Sequence, residues 1–241
     1  EGLEVGRFHG IGPKTAEKMN RLGIQMTGGS TALNHSFEQY RELGARARAM
    51  LIGAAAIAVF VTGQQKPKGI WMVDQKTGCR IWDDLPAPNE VVSWSGDCKG
   101  GYAEGRGTAQ WIIKGKFVDR YDGEMRAGKM IGAGTLSFPN GMRYEGAFKD
   151  GNFHGRGRLT YANGDVYDGE FLDDDRSGTG TFTMKDGRRY VGGWKQDMPD
   201  GPGTLTRADG TSVSGTWKMG CLDNGAMKAA LVATPRECKI Y

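Results

Sequence analysis

Histidine is scarce in this 241-residue chain, which limits the kinds of catalytic site it can form. Only His9, His35 and His154 occur, so Ser–His–Asp and Cys–His arrangements lack obvious partners. The chain has no CxxC spacing, which disfavours a zinc site, and no protein-kinase motif set. We therefore expect no catalytic residues, no metal, no cofactor and no small-molecule substrate. An enzyme that uses scattered carboxylates on envelope polymers is the alternative, and no particular residues favour it.

Proline is also scarce, with 8 residues, whereas glycine is unusually frequent, with 40. Glycine normally makes up about 7% of a protein. High glycine without high proline argues against a disordered linker and predicts a fold with many tight turns.

A strong excess of either charge is missing as well. The net charge of the chain is +4, and residues 121–212 carry 12 basic and 14 acidic side chains. This mild negative balance weighs against phosphate-rich partners for that segment, both nucleic acid and anionic lipid.

No apolar run reaches the ~20 residues that a transmembrane helix usually needs. Residues 46–63 instead place Arg46 and Arg48 before a short apolar run that ends in small residues near Thr62 and Gly63. This layout is typical of a signal peptide and predicts a periplasmic or secreted protein. A short uncleaved segment would anchor the protein in the inner membrane, facing the periplasm, and a buried core helix is the remaining alternative.

All four cysteines follow the apolar run: Cys79, Cys98, Cys221 and Cys238. An even number confined to this side fits two disulfides in an oxidising compartment. The expected pairs are local, Cys79–Cys98 and Cys221–Cys238. Four buried free thiols are the alternative.

The segment 5–24 contains Gly10-Ile11-Gly12-Pro13, followed by apolar residues at helical spacing and a glycine that suits a helix end. It resembles the helix–hairpin–helix element of DinB-type, Y-family DNA polymerases. Neither the polymerase palm nor its metal-binding carboxylates follow. The resemblance implies contacts to DNA phosphates from backbone and side-chain groups at Gly10, Gly12, Lys14, Thr15 and Lys18.

Two interpretations of residues 1–45, a hairpin-like fragment followed by a helix, stay open. We favour an artefact of a gene junction that precedes a normal start at Met26 or Met50. The other interpretation is a genuine N-terminal appendage. Nucleic acid would be a partner only in that case, and only in the cytoplasm.

The central part of the chain repeats itself every 23 residues. Each unit continues from a tyrosine through Tyr-x-Gly and Gly-x-Gly to a turn glycine, and the four tyrosines are Tyr121, Tyr144, Tyr167 and Tyr190. A period in this range marks a repeat architecture. A degenerate unit starts at Trp94, with a four-residue insertion before Tyr121, and another spans Val213–Trp217. Such atypical end units are expected in a stack.

Within a unit the side chains alternate between two faces, as in Tyr144, Gly146 and Phe148 against Glu145 and Ala147. This period of two predicts two short strands per unit, joined by Asn-Gly and Asp-Gly turns. Because single hairpins are marginal in water, the units should stack with aromatic ladders, and the glycine opposite each aromatic leaves room for its ring. We expect a mainly β fold, an elongated single-layer antiparallel sheet of stacked hairpins, with a short helical N-terminal segment.

These spacings resemble MORN repeats, and the resemblance covers residues 94–217. The preceding segment, 64–93, resembles the N-terminal cap of exported bacterial MORN proteins, and residues 218–241 are the expected C-terminal cap. The resemblance implies a twisted sheet used in protein–protein or membrane-associated assembly.

We therefore expect a non-catalytic protein-binding scaffold or adaptor of the cell envelope, with a protein partner of unknown identity. Membrane-surface association through phospholipid headgroups is the alternative. The predicted partner-binding face consists of aromatic residues of the sheet: Tyr144, Phe148, Tyr161, Tyr167, Phe171, Tyr190 and Trp194. An alternative of equal weight is that the same rings form the stacked core.

Two polar features are predicted to have no chemical role. His154 occupies a slot that holds Ile131, Ser177 and Asp200 in the other units, which is typical of an ordinary loop residue. The run Asp173–Asp175 lacks the ligand spacing and the downstream Glu of an EF-hand loop, so we expect a solvated hairpin loop there.

Overall fold

The computed structural model describes residues 69–84, 86–225, 227–232 and 238. These residues form one long, open sheet of 16 strands, and none of them lies in a helix. No helix that could cross a membrane is therefore found in this part of the chain. The helical segment, the polymerase-like fragment and the apolar run, all predicted within residues 1–63, lie outside it.

The strands follow one another in chain order: β1 (Ile70–Val73), β2 (Arg80–Asp83), β3 (Glu90–Trp94), β4 (Asp97–Lys99), β5 (Tyr102–Ile113), β6 (Lys116–Arg126), β7 (Lys129–Ser137), β8 (Arg143–Lys149), β9 (Asn152–Thr160), β10 (Val166–Leu172), β11 (Asp175–Thr183), β12 (Arg189–Lys195), β13 (Met198–Thr206), β14 (Ser212–Lys218), β15 (Cys221–Asp223) and β16 (Lys228–Ala230). From β5 onward each strand pairs antiparallel with the next. Both β3 and β4 pair with β5, and β2 meets β5 in parallel at Arg80 and Tyr102. The expected elongated antiparallel sheet is confirmed.

Each repeat unit contains a β-hairpin closed by a two-residue turn in which both residues have positive φ, such as Asp150 (51°) and Gly151 (95°). This geometry matches the twist of the paired strands. The N–H of the second turn residue donates to a carbonyl of the preceding unit, as from Gly151 to Met130 at 3.0 Å. The same bond ties successive units together at Gly128, Asp174, Asp197 and Gly220.

Consecutive units are joined by short connections that carry Asn-Gly or Asp-Gly. In the first, the Asn140 Oδ1 accepts a bond from the Met142 N–H at 2.9 Å, and Gly141 has a φ of 89°. Glycine suits this position because side chains disfavour positive φ. The predicted turn glycines of the following units adopt the same conformation: Gly164, Gly187 and Gly210.

The tyrosine that opens each unit lies over two glycines. For Tyr144, a Cβ added at Gly146 or Gly157 would lie 2.7 or 2.6 Å from the Cζ of the ring, so only glycine leaves room. The strand has a β-bulge after Gly146, which bends it, and the Tyr144 hydroxyl donates to the Ala147 carbonyl at 2.8 Å. The same hydroxyl-to-backbone bond recurs at Tyr121, Tyr167 and Tyr190.

Rings of successive units meet edge to face along the sheet. Tyr144 lies 5.1 Å from Phe148 of its own unit and 5.2 Å from Phe171 of the next, measured between ring centres. Such pairs contribute about 0.5–1.5 kcal/mol beyond the area that they bury. The ladder continues through Tyr167, Trp194, Tyr190 and Trp217, and forms the core of the array.

The degenerate first unit is built in the same way. Trp94 takes the place of the tyrosine and lies over two glycines. A Cβ at Gly96 or Gly107 would lie 2.5 or 2.6 Å from its ring. The four-residue insertion lengthens β5 and β6, which meet at a tight turn, Lys114–Gly115, in place of an Asn-Gly connection.

One disulfide joins the N-terminal cap to the degenerate first unit, and the other lies within the C-terminal cap. Cys79, just before β2, is bonded to Cys98 in β4, with their Cα atoms 5.6 Å apart. Cys221 in β15 is bonded to Cys238, with a Cα separation of 5.3 Å. Both predicted pairs are confirmed, and the alternative of four free thiols is wrong.

Candidate functional site

The seven aromatic side chains predicted to contact a partner are all buried. Their exposed fractions range from 0% to 6% in Tyr144, Phe148, Tyr161, Tyr167, Phe171, Tyr190 and Trp194. The structure therefore places them in the core, which is the alternative that the sequence left open. Their direct contact with a partner stays a prediction, and the solvent-accessible groups of the described residues lie elsewhere on the sheet.

The outward face of the repeat sheet is exposed and polar. In each of the first two full units, the residues before and after the tyrosine form an ion pair on this face. Arg143 and Glu145 are 3.0 Å apart, and each side chain is about half exposed. A similar pair joins Arg120 and Asp122 at 2.7 Å. Exposed pairs of this kind contribute only about 0–1 kcal/mol each. Because the two charges of each pair cancel, these ion pairs contribute little to the specificity of this face for a partner.

A groove opens where β1 and β2 pack beside the first full unit. Its volume is about 920 Å³, and Trp71, Tyr102 and Ile131 are among the residues that line it. The Trp71 side chain is 39% exposed, and its ring meets that of Tyr102 edge-on at 4.9 Å and that of Trp82 at 5.2 Å. We call this feature the Trp71 groove. It presents an aromatic platform to solvent.

Basic side chains outnumber acidic ones along the Trp71 groove. Arg126, Lys129 and Lys149 line it together with Glu124 and Asp150. The groove is therefore locally basic, although the repeat units as a whole carry a negative balance.

Cations also lie against the aromatic platform. The Arg80 guanidinium is 5.2 Å from the ring centre of Tyr102 and donates to its hydroxyl at 3.3 Å. The Lys129 ammonium is 5.6 Å from a ring centre of Trp82. Such contacts stabilise both groups and keep the basic charge beside these half-buried rings.

Backbone bonds hold the platform against the sheet. The Trp82 N–H donates to the Gly128 carbonyl at 2.8 Å, and the Arg80 N–H donates to the Gly101 carbonyl at 2.9 Å. Gly128 has a φ of 74°, and a Cβ there would lie 2.7 Å from the Trp71 ring. Glycine in this hairpin turn is therefore required for Trp71 to pack where it does.

The Trp71 groove was not predicted from the sequence. Trp71 lies in the N-terminal cap and Tyr102 in the degenerate unit, so no repeat register assigned either ring to a face. The available signal was Ile70–Val73, a short uncharged apolar stretch outside the repeats.

The two polar features predicted to have no chemical role differ in part from expectation. His154 lies in β9 rather than in a loop, with its Nδ1 3.5 Å from the Asp173 Oδ1. Asp173 and Asp174 form a hairpin turn, as predicted. Asp174 is buried rather than solvated, and its carboxylate accepts a hydrogen bond from the Phe153 N–H at 2.8 Å. The predicted DNA-phosphate contacts lie outside the described residues: Gly10, Gly12, Lys14, Thr15 and Lys18.

Comparison with known proteins supports the repeat assignment. The family model described as MORN repeat matches residues 121–143, 144–166, 167–188 and 190–212, so this region carries four MORN repeats. This match gives no support to an exported subtype or to a polymerase-like fragment. A search of curated proteins found no match.

Among solved structures, the chain is similar to the TCP domain of SAS-4 (dCPAP) of Drosophila melanogaster, determined in complex with a proline-rich motif of Ana2 (dSTIL). The sequence identity is 13%, the TM-score is 0.28, and the match covers 64% of this chain and 96% of that one. The likeness is too distant to support a statement about function.

Proposed function

We propose that this protein is a non-catalytic binding module of the cell envelope or the secreted space. The MORN-repeat sheet is its rigid support, and the Trp71 groove binds an extended, acidic segment of a partner protein. The observation that carries this proposal is the Trp71–Tyr102 platform, with Trp71 exposed and Tyr102 half-buried, together with its basic rim. Trp, Tyr and Arg are the residues most enriched among energetically dominant contacts in protein interfaces.

Charge directs the partner to the groove. The three basic side chains against two acidic ones attract acidic groups there, whereas the repeat units carry a negative balance and repel them. Binding should therefore weaken as the salt concentration rises.

The two disulfides support an extracytoplasmic location, because such bonds persist mainly in oxidising compartments. The partner would then be a protein of the same compartment.

Association with phospholipid is the second candidate, and the same basic rim with its exposed tryptophan favours it. Tryptophan and basic side chains are both common at membrane surfaces. We place it second because the aromatic platform lines a groove, which a protein segment can enter and a flat bilayer cannot.

Affinity purification from an extract of the producing organism tests the proposal. The full chain is compared with a groove variant, Trp71→Ala with Arg126→Glu. A matched control changes the same kinds of residue outside the groove, Phe117→Ala with Lys195→Glu, where Phe117 is 61% exposed. In parallel, all three proteins are floated with vesicles of neutral and anionic phospholipid.

We expect a protein that the wild type and the control both recover and the groove variant loses. Equal recovery by all three would exclude the groove as the site. Flotation that depends on the groove residues, without a recovered protein, would replace the proposal by lipid binding. If the wild type neither recovers a protein nor floats with vesicles, this result would contradict a binding role for this surface.

A further inference from the structure

The strand β1 ends the hydrogen-bonded order of the sheet and pairs only with β2 within the described residues. The Asp74 N–H donates to the Cys79 carbonyl at 2.9 Å, in register with β1 and β2. Backbone groups alternate along an antiparallel pair, so those of Met72 face β2 and those of Trp71 and Val73 face away. On this outer edge, the Val73 carbonyl accepts a side-chain bond from Gln75 at 3.3 Å.

The side chains of β1 make this edge apolar and partly exposed. Ile70, Trp71 and Val73 are 48%, 39% and 42% exposed, and Met72 is buried. The strand has no charged residue and no proline. Charged residues and proline normally prevent an edge strand from pairing with another chain. Because β1 has neither, it is open to strand addition.

The opposite terminal strand is protected. β16 begins with Lys228, whose ammonium lies 3.5 Å from the Asp223 carboxylate. The disulfide between Cys221 and Cys238 holds the end of the chain close to β15, the neighbour of β16. The two ends of the sheet therefore differ, and open-ended polymerisation from both is disfavoured.

We propose that β1 pairs with β1 of a second copy of this chain, giving a two-fold symmetric dimer with one continuous sheet. With the axis at Met72, Trp71 lies opposite Val73 of the second copy, and Val73 lies opposite its Trp71. Both pairs join residues whose N–H and C=O groups face outward, so each forms two backbone bonds. The register is self-complementary, as a two-fold interface requires.

The pairing also covers exposed apolar surface. Trp71 and Val73 lie on one face of β1, and an aromatic ring opposite a β-branched side chain is a favourable cross-strand pair. The second copy meets Trp71 on the side away from β2, so the Trp71–Tyr102 platform keeps its contacts. The dimer does not depend on the acidic partner proposed above.

The shared surface is short. Stable interfaces usually exceed about 1,000 Å², so we expect a reversible dimer whose population rises with concentration. Sedimentation velocity of the full chain over a wide concentration range measures this directly. Val73→Lys places a charge on the edge and should weaken the dimer by about tenfold or more, a change of about 1.4 kcal/mol per factor of ten. The matched control is Val91→Lys, which changes a 49% exposed valine of β3 and should leave association unaltered.

A second experiment locates the contact. Val73 is replaced by the photoreactive residue p-benzoylphenylalanine, and ¹⁵N-labelled and unlabelled chains are mixed before irradiation. We expect crosslinks between position 73 of one copy and the peptide that contains Trp71 of the other. A chain that stays monomeric at all concentrations would overturn the proposal. So would a dimer that Val73→Lys leaves intact, or crosslinks that map to another surface.

Discussion

The guanidinium of Arg176 is fully buried and bonds to the Asp197 carboxylate, with Nε 3.0 Å from Oδ1. It also lies 4.3 Å from the ring centre of Trp194, a cation–π contact. The same slot holds Met130, Phe153 and Pro199 in the other units. One repeat therefore places a charge where the others place an apolar side chain, and Asp197 in the next hairpin turn compensates for it.

Removing only one partner of this pair should be costly. Asp197→Gly keeps the turn, which has a φ of 66° at this position, but leaves the buried guanidinium without its carboxylate. We expect a loss of about 3 kcal/mol in the free energy of unfolding, measured by denaturant titration. The double variant Arg176→Met with Asp197→Gly reproduces the Met130–Gly151 pairing of an earlier turn, and should lie within about 1 kcal/mol of the wild type. A double variant as unstable as the single one would contradict this account.

Adding a methyl group under a tyrosine should disrupt a unit. In Gly192→Ala, the new Cβ would lie 2.5 Å from the Gly203 Cα and 2.6 Å from the Pro202 carbonyl oxygen. These are backbone atoms of the paired strand, so the sheet itself must shift, and we expect a loss of about 2 kcal/mol or more. Gly115→Asn is the control, because that turn position has open space and asparagine tolerates positive φ. Equal losses of unfolding free energy in both variants would show that the tyrosine does not require the glycine.

Stability should fall at alkaline pH. Burial raises the pKa of the tyrosines that open the units, Tyr121, Tyr144, Tyr167 and Tyr190, above the ordinary value of 10.0. The folded state thus holds these protons more tightly than the unfolded chain. This contribution is complete below pH 10 and is lost as the pH rises towards the folded pKa. Denaturant titrations at a series of pH values should show a declining free energy of unfolding above pH 10.

Tyr144→Phe tests the origin of that decline. It removes the hydrogen bond to the Ala147 carbonyl, so we expect a loss of about 1 kcal/mol near pH 7. Above pH 10 the variant should decline less steeply than the wild type, because it has one buried phenol fewer. Identical slopes would assign the decline to other groups.

The two disulfides should stabilise opposite ends of the sheet independently. Their partners are 19 and 17 residues apart, so removing either by paired Cys→Ala substitution should cost about 3 kcal/mol. Hydrogen exchange should show the loss of Cys79–Cys98 mainly in β1–β4, and that of Cys221–Cys238 mainly in β15 and β16. Each variant is the control for the other. Increased exchange spread evenly over the repeats in both variants would contradict local stabilisation.

The regular part of the fold could be predicted from local patterns. The 23-residue interval, the Tyr-x-Gly and Gly-x-Gly spacings and the turn glycines each report a conformation that a few neighbouring residues determine. The strands, the turns and the glycines beneath Tyr144 were therefore all predicted. The disulfide pairs were also predictable, since each joins cysteines that are near each other in sequence, 19 and 17 residues apart.

The accessible site could not be predicted in the same way. Alternation along β8 shows that Tyr144 and Glu145 lie on opposite faces, but not which face becomes covered. The bulges and the hydrogen bonds from each hairpin turn to the preceding unit decide this. They hold the rings of successive units together, and Tyr144 has no exposed surface. The predicted partner-binding aromatics were thus placed in the core.

The sequence by itself determined the repeat unit, its turns, its glycines and its disulfides, because each depends on short-range geometry. The tertiary structure decided which surfaces face solvent. The Trp71 groove joins residues from Trp71 to Asp150, and its platform exists only because β2 meets the turn at Gly128. Contacts between distant segments depend on how the whole sheet bends and packs, which no local pattern specifies.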